Sequence, residues 1–224
     1  MLTGMSLVVG VVVAGWIGWP VPAENKEIGS ETTTVYYANK QVMGTFAAVD
    51  RTIRTLDELP PHVPAAVLAS EDQNFENHIG IDPAGIVRAF VSNVTGGTRQ
   101  GASTLMQQYV ENTYFQPGQS SYADKFRELI LAIKVDQEKS KDEILEGYVV
   151  SIYLGRGAYW FEAAVKAYFN KPAAKLTVSE TAMLVGIIPS PSYWDPRFGE
   201  GSRAVAEEKW ARVLRNMAEQ GVIT

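Results

Sequence analysis

Residues 69–82 read Ala69-Ser70-Glu71-Asp72-Gln73-Asn74-Phe75-Glu76-Asn77-His78-Ile79-Gly80-Ile81-Asp82. They follow an apolar run, Pro64-Ala65-Ala66-Val67-Leu68-Ala69, that has the character of a buried helix. The run ends in adjacent carboxylates, with an aromatic ring, a histidine and a third carboxylate close behind. Such a stretch is either a capped loop between helices or a catalytic carboxylate held at a helix end. Taken alone it favours the capped loop. The rest of the chain shifts the balance.

Working outward, most of the chain carries helical signals. Pro64 suits a first helical position before Ala65 to Asp72. Asp82-Pro83 places an N-cap before a proline and opens the helix Ala84 to Val94. Gly96-Gly97 then breaks the chain, and Thr98 to Ala102 reads as mobile. Ser103 is placed to cap Thr104 to Asn112. From Tyr122 to Glu138, Phe126, Leu129, Ile130, Ile133 and Val135 recur at helical spacing. Ser140-Lys141-Asp142-Glu143 and Thr177-Val178-Ser179-Glu180 are capping boxes. A last helix is expected from about Ser202 to Gln220, stopping at Gly221. Upstream, Thr32 to Phe46 is rich in β-branched and aromatic residues around Ala38-Asn39-Lys40, which predicts a small hairpin. The expected organisation is residues 1–20 as a membrane segment, 21–56 as linker and hairpin, and 57–224 as one mainly α domain.

The first segment stands apart. Leu2 to Trp19 carries no charge and is about as long as the minimum bilayer span. Trp16 and Trp19 cluster at its end, where interfacial aromatics belong. A cleaved signal would fit Val21-Pro22-Ala23, but the basic n-region is missing, so an anchor is preferred. In both cases the remainder lies on the extracytoplasmic side, in a single-pass arrangement if the segment is an anchor. The net charge of −5 argues against nucleic acid as a partner. The absence of cysteine and the presence of only two histidines leave no thiolate or histidine-rich metal site.

Three stretches then fall into an order. Glu71, Asp72, Phe75, His78, Gly80 and Asp82 fill the pattern E-D-x-x-F-x-x-H-x-G-x-D. Gly101, Ser103, Thr104, Gln107 and Gln108 fill G-x-S-T-x-x-Q-Q. Lys125 and Glu128 fill part of R-K-x-x-E. Together these resemble the peptidoglycan glycosyltransferases of family 51, the domain of class A penicillin-binding proteins and monofunctional transglycosylases. Ser140 to Ala164 and Leu176 to Pro191 resemble the family's fourth and fifth motifs. The phrasing of Thr32 to Tyr37 and of Gly155 to Tyr159 is closest to actinobacterial members.

The resemblance implies a lysozyme-like α fold with a small membrane-facing lobe. It also implies a reaction: polymerisation of lipid II into β-1,4-linked glycan, with inversion and release of undecaprenyl pyrophosphate. Glu71 matches the base and Glu128 the second essential carboxylate. Arg88, Lys125 and Arg127 match the cations that would meet the pyrophosphate. Asp72, Phe75, His78, Ser103, Thr104, Gln107, Gln108 and Asn112 stand where sugar and phosphate oxygens would be held. The partners implied are lipid II and its lipid-linked glycan, the membrane, and a C-terminal transpeptidase domain or other cell-wall synthases. No cofactor is required by the sequence; a magnesium ion would serve as counter-charge to a pyrophosphate.

The chemistry agrees with the residues. A sugar hydroxyl needs a base, and a positioned carboxylate typically contributes about 10²–10⁴-fold. A pyrophosphate leaving group needs cations rather than a strong acid.

Four positions depart from the family pattern: Glu111 replaces a lysine, Asp124 an arginine, Val150 an asparagine and Trp160 a glycine. Glu111 and Asp124 are charge reversals near an anionic site. Asp124 stands one turn from Glu128, which as a like-charge pair would favour a protonated Glu128. An active transferase is therefore weighed against a weakened relative that binds lipid-linked glycan as a scaffold, and against a lysozyme-like hydrolase.

Overall fold

The computed structural model describes residues 14–23, 33–36, 42–46, 55–95, 103–115 and 121–224. The chain is mainly helical. Two short strands, β1 (Thr33–Tyr36) and β2 (Val42–Phe46), pair antiparallel, with Thr33 opposite Phe46 and an irregularity between Val35 and Tyr36. The residues joining them, the expected linker residues 24–30 and the segment Gly96 to Ala102 lie outside the described residues.

Among the described residues eight α-helices follow: α1 (His62–Glu71), α2 (Pro83–Val94), α3 (Leu105–Tyr114), α4 (Tyr122–Glu138), α5 (Lys141–Ser151), α6 (Phe161–Phe169), α7 (Val178–Ile187) and α8 (Glu200–Glu219). The chain forms two compact units. One comprises Met1–Glu24 and Asn74–Tyr148, the other Asn25–Gln73 and Val149–Thr224.

In the second unit, α7 packs on α8 and α1 packs on both. The reason lies in composition. Val63, Ala66 and Val67 of α1 and Leu184, Val185 and Ile187 of α7 are fully buried, while α8 contributes Val213 and Met217. The small Gly186 lets α7 approach the α8 backbone: a Cβ there would sit 3.1 Å from backbone and side-chain atoms of Lys209. Helix α1 begins at His62, two residues before the start expected at Pro64. Any first-turn position tolerates proline, because its missing N–H has no partner there. Thr177 and Glu180 form the predicted capping box of α7. The loop between α5 and α6 carries Arg156, whose guanidinium engages the buried Asp195.

In the first unit, α3 packs on α4. Helix α4 has the predicted bounds, with Ile130, Leu131 and Val135 buried. Its cap is Ser121, whose Oγ accepts from the Asp124 amide at 3.1 Å, while the Asp124 carboxylate accepts from the Ser121 amide at 3.0 Å. The N-cap of α3 is Thr104, not Ser103: Thr104 forms a capping box with Gln107. Ser140 and Glu143 bond reciprocally before α5, as the sequence predicts.

Of the N-terminal segment, residues 1–13 are outside the described set and 14–18 are helical. Among the described residues no helix is long and apolar enough to cross a membrane. The end of this segment rests on α4. The Lys134 ammonium donates to the carbonyls of Trp16 and Trp19 at 2.6 Å each, and Trp19 meets Phe126 edge-on at 5.8 Å between ring centroids.

Candidate active site

The first unit brings several expected site residues together on two facing helices. On α3, Gln107 and Glu111 stand one turn apart; on α4, so do Lys125 and Glu128. The pairs meet in antiparallel register. Gln107 Nε2 donates to Glu128 Oε1 at 3.2 Å, and Lys125 Nζ lies 3.2 Å from Glu111 Oε2. Lys125 Nζ also donates to Glu128 Oε2 at 2.7 Å. Glu128 is 3% exposed, so both its oxygens meet donors inside the protein.

Burial is the largest influence on Glu128 and pushes its carboxyl above the usual range, with the nearby charge of Glu111 adding to it and Lys125 opposing. The direction expected from the sequence holds, but the cause differs. Asp124 is engaged with Ser121, which holds its carboxyl below the usual range, and the main influences on Glu128 are burial, Lys125, Glu111 and Gln107. Lys125 is also raised: burial opposes this, and the contacts with Glu128 and Glu111 outweigh it.

Around this cluster the motif residues divide by burial. Phe75 is 1% exposed and sits in the core, edge-on to His78 at 6.1 Å between ring centroids. The His78 carbonyl accepts from Lys141 Nζ at 2.7 Å, which fixes the turn before α2. Gly80 has φ +80°, and a Cβ there would collide with the Ala132 carbonyl oxygen. The Gly80 carbonyl accepts from Thr104 Oγ1 at 2.8 Å, tying the first motif to the second. Tyr148, buried, donates to Gln108 Oε1 at 3.0 Å. Ser103 is exposed and Asn112 half-buried. Arg127 lies over the Phe115 ring at 5.6 Å, and exposed Arg88 lies 3.7 Å from Asp82.

Glu71 and Asp72 belong to the second unit. Glu71 is the last residue of α1 and half-buried; Asp72 follows it, buried, its amide donating to the Leu68 carbonyl. The helix-end carboxylate read from the sequence is thus present.

Sequence reasoning missed two features. Ser121 and Asp124 stand three apart before an apolar run, a legible cap signal. The pairing of Glu111 with Lys125 leaves no sequence signal, because it depends on the register between two helices. A divalent ion is offered no cluster of three His, Asp or Glu ligands among the described residues, and the Glu111 and Glu128 carboxylates are bridged by an ammonium instead.

Residues 39–218 match the family described as Transglycosylase. The chain belongs to the transglycosylase family. Within it, the penicillin-binding protein 1A of Neisseria flavescens is 41% identical over 192 residues, 85% of this chain and 24% of that protein. The penicillin-binding protein 1A of Mycobacterium tuberculosis is 45% identical over 168 residues, 73% of this chain and 20% of that protein. A 2.6 Å crystal structure of penicillin-binding protein 1A from Haemophilus influenzae has a TM-score of 0.47 and 21% identity, covering 87% of this chain and 19% of that one. The chain thus spans between a fifth and a quarter of the length of these relatives.

Proposed function

We propose that this transglycosylase-family chain is a peptidoglycan glycosyltransferase that polymerises lipid II into β-1,4-linked glycan. The observation that carries this is the buried Glu128, held by Gln107 and Lys125, with all three in motif register.

The proposed step is a displacement at C1 of the lipid-linked donor sugar. The C4 hydroxyl of the acceptor attacks C1 while Glu71 takes its proton. The C1–O bond to the phosphate breaks with inversion, and undecaprenyl pyrophosphate leaves with the bonding electrons. Lys125, Arg127 and Arg88 supply positive charge to the leaving group. Glu128 orients Lys125, and its burial keeps that orientation fixed. Asp72, His78, Ser103, Gln108 and Asn112 would hold sugar and phosphate oxygens. Phe75, Thr104 and Gln107 are buried and already bonded or packed, so they act by positioning the others rather than by touching substrate.

The wider setting belongs to the same proposal. A lysozyme-like α fold with a small membrane-facing lobe would work on substrates embedded in the bilayer. The apolar N-terminal segment would anchor the chain, with the catalytic residues on the extracytoplasmic side. A transpeptidase domain or other cell-wall synthases would be its partners. Magnesium, where it takes part, would accompany the substrate's phosphates.

Incubation with labelled lipid II tests the proposal. Glycan polymer from the wild-type chain, lost in a folded Glu71→Gln variant, supports it. Binding without polymer would assign a scaffold role instead. Cleavage of preformed glycan would assign a hydrolase. A folded Glu71→Gln variant with wild-type turnover would remove Glu71 from the role of base.

A further inference from the structure

The Lys125 ammonium is shared by two carboxylates of unlike standing. Glu128 is buried, with its side chain 4% exposed, and it takes the shorter contact at 2.7 Å. It also accepts from Gln107, so it cannot turn away without leaving a buried charge unbonded. Glu111 is different: its side chain is 52% exposed and its contact with Lys125 is longer, at 3.2 Å. An exposed carboxylate on such a contact exchanges its partner at small cost, because water receives it. Lys125 is itself 43% exposed on its side chain, so an incoming anion has access to the same ammonium. One ammonium against two carboxylates also leaves a negative charge at that spot. The field of Glu111 reaches both neighbours: after the effect of burial, its charge still raises the affinity of Lys125 and of Glu128 for protons.

We propose that Glu111 is a positioning residue that competes with the substrate's phosphate groups for Lys125, holding the ammonium against Glu128 until a phosphate displaces it. This rests on the proposed glycosyltransferase reading, in which Lys125 faces the pyrophosphate. Glu111 touches no reacting atom; it acts through Lys125. Its carboxylate keeps the lysine aimed while the site is empty and weakens phosphate binding in return. Donor affinity is then set partly by a residue that departs from the motif pattern.

The probe is inorganic pyrophosphate, titrated calorimetrically at low salt into the full chain and into Glu111→Gln, Lys125→Gln and the double variant. Steady-state rates on labelled lipid II are measured alongside. Removing the rival should tighten pyrophosphate binding by about fivefold, the upper range for an exposed ion pair. The gain should vanish where Lys125 is already glutamine. KM for lipid II should fall by a similar factor, with kcat changing less. Glu111→Asp, which keeps the charge on a shorter arm, should give a smaller gain. Circular dichroism and the unfolding temperature establish that each variant is folded.

Equal pyrophosphate affinity in wild type and Glu111→Gln overturns the proposal, as does a gain that survives loss of Lys125. No measurable pyrophosphate binding with an unchanged KM also overturns it. The two readings fail separately. Tighter pyrophosphate with no polymer from either protein rejects the transferase and keeps the competition. Polymer from both proteins, with affinity and KM unaltered, keeps the transferase and rejects the competition.

Discussion

Arg156 meets both carboxylate oxygens of Asp195, with Nε 2.9 Å from Oδ2 and Nη2 2.8 Å from Oδ1. Asp195 is 2% exposed and also accepts from the Arg197 side chain and amide. Arg156 adds a bond to the Ala167 carbonyl and stacks on Tyr168 at 3.7 Å. One buried carboxylate therefore holds the loop after α5, the end of α6 and the turn before α8.

Asp195→Asn should destabilise the protein by about 3–5 kcal/mol, the usual cost of leaving a buried charge without its partner. The paired arginines, Arg156 foremost, hold the Asp195 carboxyl well below its ordinary range despite burial. The sign follows: its contribution is present above the unfolded carboxylate pKa and is lost as pH falls toward the depressed folded value. The difference in unfolding temperature between wild type and variant should thus be large at pH 7 and shrink in acid. A difference independent of pH would contradict the ionic account.

Trp160 caps α6 with φ 65° and ψ 162°, backbone angles that L side chains rarely adopt. Its ring is nonetheless buried, 8% exposed. Trp160→Ala loses the ring and keeps the strain, whereas Trp160→Gly loses the ring and relieves the strain. Glycine should therefore be the more stable of the two by about 1 kcal/mol or more, the reverse of its ordinary rank against alanine. Urea unfolding of the two variants decides it, and an alanine variant equal to or above the glycine one would contradict the strain.

Glu128→Gln should leave stability at pH 8 unchanged or raised, while polymerisation falls by roughly 10²-fold, the scale of one preorganised electrostatic contact. Burial raises the Glu128 carboxyl, so the folded state holds its proton more tightly than the unfolded chain. Wild-type stability relative to the variant then declines as pH rises through the carboxylate range. The gap in unfolding temperature between variant and wild type should widen from pH 4 to pH 8. A gap that narrows over that range would show that Lys125 and Gln107 outweigh burial.

Replacing Asp124 by arginine should lower the unfolding temperature, because the variant loses the reciprocal bonds with Ser121 and puts a cation at the positive end of α4. Ser121→Ala should lower it as well, and the two losses should not add. In a paired repair of Glu111 and Asp124 to basic residues, any gain in activity should come from position 111. Equal gains from both positions would mean that Asp124 faces the substrate.

The helices were legible where a strong period met a strong cap. Helix α4 follows its apolar spacing, and Thr177 with Glu180 starts α7 as its spacing predicts. Proline at position 64 misled by two residues, since it fits anywhere in the first turn. At 103–104 adjacent hydroxyls compete for one cap, and the reach of Gln107 back to the Thr104 amide settles it at 3.1 Å. Asp124 stands out in the sequence as a reversed charge, but in the fold it completes the cap of α4. In the candidate site, Gln107, Lys125 and Glu128 are readable from their motifs and Glu111 as a departure, but the pairing of Glu111 with Lys125 is not, since the two stand on different helices. Trp160 was recognised as a departure from glycine, yet its positive φ is a backbone property that no side-chain pattern records.

Lys134 binds the carbonyls that end the N-terminal helical turn, and Trp16 lies over its ammonium at 5.1 Å. Lys134 and Glu128 share α4, six residues apart, or about 9 Å along the axis. The described end of the N-terminal segment is therefore attached to the same helix that carries Lys125 and Glu128, by two hydrogen bonds and an edge-on ring pair. Were that segment held in a membrane, as proposed, the helix that carries Lys125 and Glu128 would be held with it.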